Sequence, residues 1–280
     1  MTVASETDLV AAAADLLRGR TWVALTGAGM STDSGIPDYR GPTSVRATPM
    51  QFSEFIGSAE ARRRYWARSY QGWRQIGQAR PNAGHRTLSA LERPGGLTGI
   101  VTQNVDGLHR AAGSRAVIDL HGDIATVVCL DCGAKTSRRE TQRRLAALNP
   151  DVPPPVRLEH AELRPDGDAR VERWSDFVLA DCADCSGRLK PDVVFFGESV
   201  PRDRVDQAYA YVDAAEVLVV LGSSLTVMSG LRFVRHSAKA GRPVIIINRG
   251  PTRGDELATL KIEAGCSETL AILAAVTEYS

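Results

Sequence analysis

Uninterrupted apolar runs that end in glycine, serine or asparagine recur along this chain of 280 residues. The two strongest are EVLVVLGSS (216–224) and RPVIIINRG (242–250), both rich in β-branched residues. Other runs of the same kind are TWVALTGAG (21–29), LTGIVTQN (97–104), AVIDLHG (116–122) and DVVFFGE (192–198). Because the apolar residues do not alternate with polar ones, each run predicts a strand that is covered on both faces, as in a parallel sheet.

Stretches that favour helix separate these predicted strands. Residues 202–215 and 229–241 are two examples, each lying between apolar runs. Strands that alternate with helices predict an α/β fold with a doubly wound, Rossmann-like parallel sheet. Ligands of such sheets bind beyond the carboxyl ends of the strands, so the polar residues that end each run are the candidates for function.

Four of the five cysteines form two tight pairs, Cys129-x-x-Cys132 and Cys182-x-x-Cys185. Each pair can place two thiolates on one metal across a sharp turn, and two pairs supply the four sulfurs of a closed tetrahedral zinc site. A closed site has no coordination position left for a substrate. We therefore expect one structural Zn²⁺ that takes no part in the chemistry. The fifth cysteine, Cys266, is interpreted from the sequence alone as a small buried apolar residue.

Two regions break the alternation of strands and helices and predict a second, smaller domain. Residues 38–80 are rich in arginine, aromatic residues and helix formers, and residues 125–190 carry both cysteine pairs and a proline cluster. We interpret both regions as insertions that together form a small helical and zinc-ribbon domain. The remaining sheet domain is then discontinuous and comprises residues 1–37, 81–124 and 191–280.

Composition narrows the class of protein. Apolar residues make up 43% and charged residues 24% of the chain, as in ordinary soluble enzymes, and the net charge is +1. This balance gives no electrostatic basis for binding nucleic acid or an anionic membrane, and no apolar stretch approaches the length of a membrane span. The N-terminal segment carries Glu6, Asp8 and Asp15 and lacks the pattern of a signal peptide. We expect a cytoplasmic protein, in which reduced thiols bind metal.

The first apolar run ends in Gly27-Ala28-Gly29, where glycines allow the backbone to approach a phosphate group. The alternative is a tight strand-to-helix turn without a ligand. Position 32 is threonine, so the third glycine of the dinucleotide fingerprint G-x-G-x-x-G is absent. No acidic residue ends a second strand about 20 residues later either. The sequence favours phosphate binding here, but not the fingerprint of a hydride-transferring dehydrogenase.

Polar side chains also end the second and third apolar runs. Gln103, Asn104 and Asp106 present donors and acceptors that suit ribose hydroxyls or a carboxamide. Asn104 and Asp106 could equally cap the next helix, and both roles can coexist. His121 ends the third run, and a neutral imidazole is a suitable general base for a ribose hydroxyl. The alternative is a structural histidine, and the chain has four others: His85, His109, His160 and His236.

Several motifs, taken in order, closely resemble those of one family. They are GAGMSTDSGIPDYR (27–40), TQNVDGLH (102–109), HGD (121–123), the two C-x-x-C pairs, KPDVVFFGE (190–198), GSSL (222–225) and the strand end IIIN (245–248). The chain resembles a sirtuin, an NAD-dependent protein lysine deacylase, over about residues 10–275. The segments that look most like the class II branch are RYWARSYQGW (64–73), LRPDGD (163–168) and GPTRGDELATLK (250–261).

The resemblance implies roles for particular residues. The NAD phosphates and ribose would be held by Gly27, Ala28, Gly29, Ser31 and Thr32, and the mobile cofactor loop would contain Asp38, Tyr39 and Arg40. The nicotinamide and its ribose would be lined by Gln103, Asn104 and Asp106, and the adenosine half by Gly222, Ser223, Ser224, Asn248, Arg249 and Cys266. The acyl-lysine channel would be bordered by Val194, Phe196, Gly197 and Glu198. Catalysis would depend on His121 as general base, together with Asn104 and Asp106.

The resemblance also implies a reaction: deacylation of lysine side chains in proteins or peptides, with transfer of the acyl group to ADP-ribose and release of nicotinamide. Two alternatives share the fold, a protein mono-ADP-ribosyltransferase and a non-catalytic NAD-sensing module. Desuccinylating sirtuins carry a Tyr-x-x-Arg pair that binds a carboxylated acyl chain, and Tyr65 and Arg68 have this spacing. The sequence favours an ordinary amphipathic helix for this segment.

Overall fold

Strands and helices alternate along most of the chain, of which the computed structural model describes residues 5–39, 49–92, 96–153 and 174–278. The strands are β1 (Trp22–Thr26), β2 (Leu97–Thr102), β3 (Val117–Asp119), β4 (Gly122–Cys129), β5 (Lys135–Ser137), β6 (Leu189–Val193), β7 (Val217–Leu221), β8 (Val244–Ile247) and β9 (Leu260–Ile262). The helices are α1 (Glu6–Leu17), α2 (Phe52–Gly57), α3 (Ala59–Gln78), α4 (Ala83–Leu91), α5 (Leu108–Ala111), α6 (Arg138–Leu148), α7 (Arg202–Ala214), α8 (Met228–Lys239) and α9 (Cys266–Glu278). Arg40, which the sequence places in the cofactor loop, lies outside the described residues.

Six strands form one sheet in the order β3-β2-β1-β7-β8-β9, and each neighbouring pair is parallel. The strand order reverses between β1 and β7, since the chain runs outward through β2 and β3 on one side and through β8 and β9 on the other. Doubly wound sheets bind their ligands beyond the strand ends at such a reversal. The predicted Rossmann-like sheet is therefore confirmed, and its topology locates the site.

Both faces of this sheet are covered, as the uninterrupted apolar runs predict. In β1, Trp22 and Ala24 belong to the core that includes residues of α1, α4 and α9. Val23 and Leu25 belong to the core on the opposite face, which includes residues of α7 and α8. Each large aliphatic side chain buried in this way stabilises the fold by about 1.5–3 kcal/mol relative to its exposure. In β1, β7 and β8 the residues before the last position are therefore apolar, and the polar residues follow at the strand ends, where they can be used for binding.

A second sheet of three antiparallel strands has the order β5-β4-β6. The prediction that residues 192–198 form a strand of the parallel sheet is wrong, because β6 ends at Val193 and pairs with β4. Val193 and Phe195 pack with Tyr65 and Trp66 of α3 in a third hydrophobic core. The apolar run therefore reflects burial in this smaller region. Conversely, β9 has no counterpart among the predicted strands.

Helix α3 and the three-stranded sheet share this third core, which is separate from the two cores on the parallel sheet. This grouping agrees with the interpretation of residues 38–80 and 125–190 as insertions, while the division into domains stays a prediction. Strands β4 and β6 run across the predicted boundaries at 124 and 190.

In the described part of the chain, we find no helix with the length and apolar character that a membrane crossing requires.

Candidate active site

A cleft of about 1180 Å³ lies at the carboxyl ends of β1, β2, β7 and β8. Most of the residues that the sequence predicts for binding or catalysis line it: Gly27, Ala28, Gly29, Ser31, Asp38, Tyr39, Gln103, Asn104, Asp106, His121, Val194, Phe196, Gly197, Glu198, Gly222, Ser223, Ser224, Asn248 and Arg249. These residues are far apart in the sequence. They meet because parallel strands all end at the same edge of the sheet.

The loop after β1 packs directly on the loop after β7. Gly27 donates its N–H to the carbonyl of Leu221 and Gly29 donates to the carbonyl of Gly222, both at 2.9 Å. A Cβ at position 27 would lie 2.7 Å from the Cβ of Ser223, and a Cβ at position 29 would lie 2.9 Å from the Cα of Gly222. Glycine is therefore required at both positions by the contact between the two loops.

Three polar side chains from the ends of β1 and β2 form one hydrogen-bonded group. Asn104 donates through Nδ2 to the carbonyl of Gly27 and to the hydroxyl of Ser31, both at 3.0 Å. Ser31 donates to Asp106 at 2.7 Å, and Asp106 also accepts from the backbone N–H of Leu108 at 2.9 Å. Burial raises the pKa of Asp106, and these two hydrogen bonds oppose the increase. Asp106 thus contacts the start of α5 and lines the cleft at once.

His121 follows β3 and lines the same cleft. Its Nδ1 lies 2.9 Å from the carbonyl oxygen of Gln103, and its Nε2 lies 2.8 Å from the hydroxyl oxygen of Ser229. Burial lowers the pKa of His121, the bond to Gln103 opposes this, and the charges of Arg204 and Arg232 lower it further. The ring is therefore neutral near physiological pH, and its lone pair lies on Nε2, the atom that a general base would use.

Aromatic rings and an ion pair support another part of the cleft wall. The rings of Tyr39 and Phe196 meet edge to face, with centroids 6.2 Å apart. Glu198 accepts a hydrogen bond from the N–H of Phe195 at 2.8 Å and pairs with the buried ammonium group of Lys190 at 3.0 Å. These contacts fix the segment that carries Phe196 and Glu198, which the resemblance assigns to the acyl-lysine channel.

Comparison with known proteins now gives the family. A model described as the Sir2 family matches residues 27–229. The chain is 55% identical over 265 residues to "NAD-dependent protein deacetylase 1" of Mycobacterium avium (strain 104), covering 92% of each chain. It is 56% identical over 260 residues to "NAD-dependent protein deacetylase 1" of Streptomyces coelicolor, covering 91% of this chain and 85% of the relative. The chain belongs to the Sir2 family.

A solved structure described as "Sir2-p53 peptide-NAD+" has the same fold as this Sir2 protein, with a TM-score of 0.75 and 31% sequence identity. The match covers 95% of this chain and 97% of that one. Membership of the sirtuins, expected from the order of the motifs, is therefore confirmed. The assignment to the class II branch stays a prediction.

Two of the cofactor residues predicted for this Sir2 protein do not line the cleft. Thr32 is exposed in the turn after β1, where its hydroxyl donates to the carbonyl of Gly29 at 3.1 Å. Cys266 is buried at the start of α9, with its Sγ 3.9 Å from the carbonyl oxygen of Ile247. Both side chains point back to the backbone of a neighbouring loop or strand. Their roles in binding rest on the resemblance and stay predictions.

Other residues line the cleft although no sequence motif selects them. Ser229 and Arg232 do so because the first two turns of α8 face the cleft, and Glu263 does so because it follows β9. The sequence signal that could have identified Ser229 is its position at the start of the helix that follows the GSSL segment.

Tyr65 lines the cleft, whereas Arg68 on the same helix is not among the residues of its wall. The Tyr-x-x-Arg pair is therefore not presented jointly to the cleft.

The four paired cysteines of this Sir2 protein converge at one point. The Sγ atoms of Cys129 and Cys185 are 3.6 Å apart, those of Cys132 and Cys182 are 3.8 Å apart, and all four lie within 4.8 Å of one another. Four sulfurs placed tetrahedrally at about 2.3 Å from one Zn²⁺ would be separated by about 3.8 Å. The donor set and its spacing therefore fit a structural zinc ion.

Proposed function

We propose that this protein is an NAD-dependent protein lysine deacylase that transfers the acyl group to ADP-ribose and releases nicotinamide. The observation that carries the proposal is the position of His121. Its neutral ring shares one cleft with the glycine loop after β1 and with the hydrogen-bonded group of Ser31, Asn104 and Asp106. The names of the relatives, which are NAD-dependent protein deacetylases, support the same reaction.

The size and chemistry of the cleft support NAD as the ligand. Its volume of about 1180 Å³ lies above the range of about 300–1,000 Å³ that is usual for small-molecule sites, which leaves room for a dinucleotide and a substrate side chain. We assign the phosphates to the backbone around Gly27 and Gly29, and the adenosine half to the loops around Ser223 and Asn248. When bound, NAD would supply a ribose carbon that releases nicotinamide and a ribose hydroxyl that receives the acyl group.

The residues of the chain would contribute a base and fixed positions. His121 would take a proton at Nε2 from the ribose hydroxyl, while the carbonyl of Gln103 holds the proton on Nδ1. Asn104 and Asp106 would orient the reacting end of NAD, and their bonds to Ser31 set their orientation before any ligand binds. A general base of this kind contributes about 10²–10⁴-fold in rate.

The remaining assignments follow from the same interpretation. We propose that Val194, Phe196, Gly197 and Glu198 border the acyl-lysine channel, where the substrate backbone would add as a strand. We propose one structural Zn²⁺ on the four paired cysteines, in a small domain distinct from the NAD-binding sheet domain. The protein would act in the cytoplasm, where thiols stay reduced and available to metal.

The proposal is tested by incubating the protein with NAD and lysine peptides that carry acetyl, succinyl, long-chain or lipoyl groups, and measuring nicotinamide release and deacylated peptide. We expect turnover by the wild type and a loss of about 10²-fold or more in His121→Ala. His236→Ala, which changes a half-buried histidine outside the cleft, serves as the matched control. Equal turnover by wild type and His121→Ala would refute the assigned base.

NAD labelled in its adenylate half separates the alternatives. Label recovered in O-acyl-ADP-ribose supports deacylation, whereas label that stays on denatured protein supports ADP-ribosyl transfer. Tight binding of NAD without nicotinamide release for every acyl peptide would favour a sensing module and contradict the proposal.

A further inference from the structure

The two ring nitrogens of His121 have hydrogen-bond partners on different elements. Nδ1 lies 2.9 Å from the carbonyl oxygen of Gln103, and a carbonyl can only accept, so Nδ1 carries the proton. Nε2 then has the lone pair and accepts from the hydroxyl of Ser229 at 2.8 Å. Ser229 is thus bonded to the single basic atom of the ring.

The first turn of α8 also contacts the residue on the other side of the ring. Gly230 lies so close to Gln103 that a Cβ at position 230 would be 2.5 Å from its Oε1. The carboxamide of Gln103 in turn donates to the hydroxyl of Ser223 at 2.8 Å. Ser229 therefore contacts the base directly, and the next residue, Gly230, packs closely against Gln103, whose carbonyl sets the tautomer of His121.

We propose that Ser229 is a positioning residue for His121: its hydroxyl donates to Nε2 in the free protein, releases that lone pair when the ribose hydroxyl takes its place as donor, and accepts a hydrogen bond from Nε2–H after proton transfer. This inference rests on the proposed function, in which the proton moves from a ribose hydroxyl to Nε2. No covalent bond to Ser229 forms or breaks. Rotation about the Cβ–Oγ bond turns the serine from a donor into an acceptor, so the same side chain serves both the neutral and the protonated ring.

The protonated ring needs such a partner because its surroundings oppose the charge. Burial disfavours the imidazolium, and the guanidinium groups of Arg204 on α7 and Arg232 on α8 disfavour it further. The carbonyl of Gln103 favours it but bonds only to Nδ1. Removing the Ser229 hydroxyl would leave Nε2–H without a partner among the described protein groups, and a hydrogen bond to a charged group is stronger than one between neutral groups.

The test compares Ser229→Ala, Ser229→Thr and wild type in two assays with an acetyl-lysine peptide. Exchange of labelled nicotinamide into NAD precedes removal of the ribose proton, whereas formation of deacylated peptide requires it. For Ser229→Ala we expect deacylation to fall about tenfold, while exchange stays within about twofold. The acidic limb of the deacylation pH profile should move to lower pH, because the imidazolium has lost an acceptor. Ser229→Thr should restore both the rate and the profile.

Ser237→Ala is the matched control, since Ser237 lies on the same helix and its buried hydroxyl has no partner among the described residues. Deacylation that is unchanged or faster in Ser229→Ala would overturn the inference, as would an equal loss in both assays. A wild type that is inactive in both assays would overturn the proposed function and this inference with it. An active wild type with an unaffected Ser229→Ala overturns this inference alone.

Discussion

The hydroxyl of Ser31 donates a 2.7 Å hydrogen bond to the carboxylate of Asp106, joining two residues that are 75 positions apart in the sequence. Ser31 lies in the turn after β1 and Asp106 in the loop after β2, so the bond forms only once these strands pair. It helps Asp106 to keep its charge against burial, which raises the pKa of this carboxyl. The hydrogen-bond donors that oppose this increase are therefore supplied by the fold.

Replacing Asp106 by asparagine keeps the size of the side chain and removes the charge. The carboxylate accepts from Ser31 through Oδ2 and from Leu108 through Oδ1, and the amide keeps only one of these two positions as an acceptor. We expect nicotinamide release to fall on the order of 10²-fold, since preorganised charged groups contribute by this amount. Nicotinamide release with an acetyl-lysine peptide measures the effect, and Asp151→Asn, an exposed carboxyl outside the cleft, is the control. Comparable activity of the two variants would refute the role of Asp106.

The cysteine cluster predicts a metal content and a stability effect. Wild-type protein prepared without chelator should contain about one zinc per chain, because four sulfurs at this spacing bind one ion. Cys182→Ser should lower the zinc content well below one, and the melting temperature should fall by more than about 10 °C because structural zinc binding is coupled to folding. Cys266→Ser, which lies outside the cluster, should keep its zinc. Full zinc occupancy in Cys182→Ser would contradict the assignment.

Arg138 is a buried cation that joins α6 to α3. Its guanidinium lies 4.9 Å from the ring centroid of Trp66 and 5.2 Å from that of Trp73, and it donates to the hydroxyl and carbonyl of Ser69. Arg138→Met would leave these acceptors without a donor, and we expect it to lower the free energy of unfolding by about 2 kcal/mol. Urea denaturation measures this. Exposed Arg139→Met should change stability by less than about 0.5 kcal/mol. If Arg138→Met were more stable than the wild type, the cost of removing the guanidinium from water would exceed the stabilisation that these contacts provide.

His85 predicts a loss of stability in acid. Burial lowers the pKa of His85 to about 4, with Arg86 contributing and Asp33 opposing, so the folded state binds its proton less readily than the unfolded chain does. Stability from the neutral ring is therefore complete above the ordinary value of 6.5 and is lost as the pH falls toward 4. The loss is on the order of 3 kcal/mol at the acid end.

Denaturant unfolding at several pH values between 6.5 and 4 tests this expectation. His85→Phe should show a smaller change in unfolding free energy over that interval than the wild type. Arg139→Met, which changes an exposed residue that does not titrate between these pH values, should keep the wild-type change. The same pH dependence in all three proteins would rule out His85 as its source.

The main sheet was predictable because uninterrupted β-branched runs, such as those of β7 and β8, are typical of strands buried on both faces of a parallel sheet. The same signal failed at residues 192–198, since an apolar run reports burial and not the sheet in which a strand pairs. It also missed β9, because a strand of three residues is too short to show a pattern. The sequence thus predicted that a parallel sheet covered by helices is present, but it did not predict which sheet each strand joins.

The strand-end residues of the cleft were predictable for a similar reason, since parallel strands bring their polar ends together. Asn104, Asp106 and His121 all end apolar runs, and all line the cleft. Ser229 was missed because its contact with His121 depends on where α8 begins relative to β3, which no local pattern specifies. The orientation of Thr32 toward the carbonyl of Gly29 likewise depends on the backbone geometry of a single turn, which the sequence pattern does not specify.

Gly222 adopts a φ of +60°, and a methyl group at that position would come within 2.4 Å of the backbone nitrogen of Met30. The backbones of the turns that follow β1 and β7 are thus packed against each other, so a shift of one turn requires a shift of the other. Redesign of the ligand preference of one turn cannot proceed independently of the other, because a single added carbon at the junction forces the two strand tips apart. Engineering for altered dinucleotides should therefore vary both turns as one unit, or leave both intact and alter the surrounding walls.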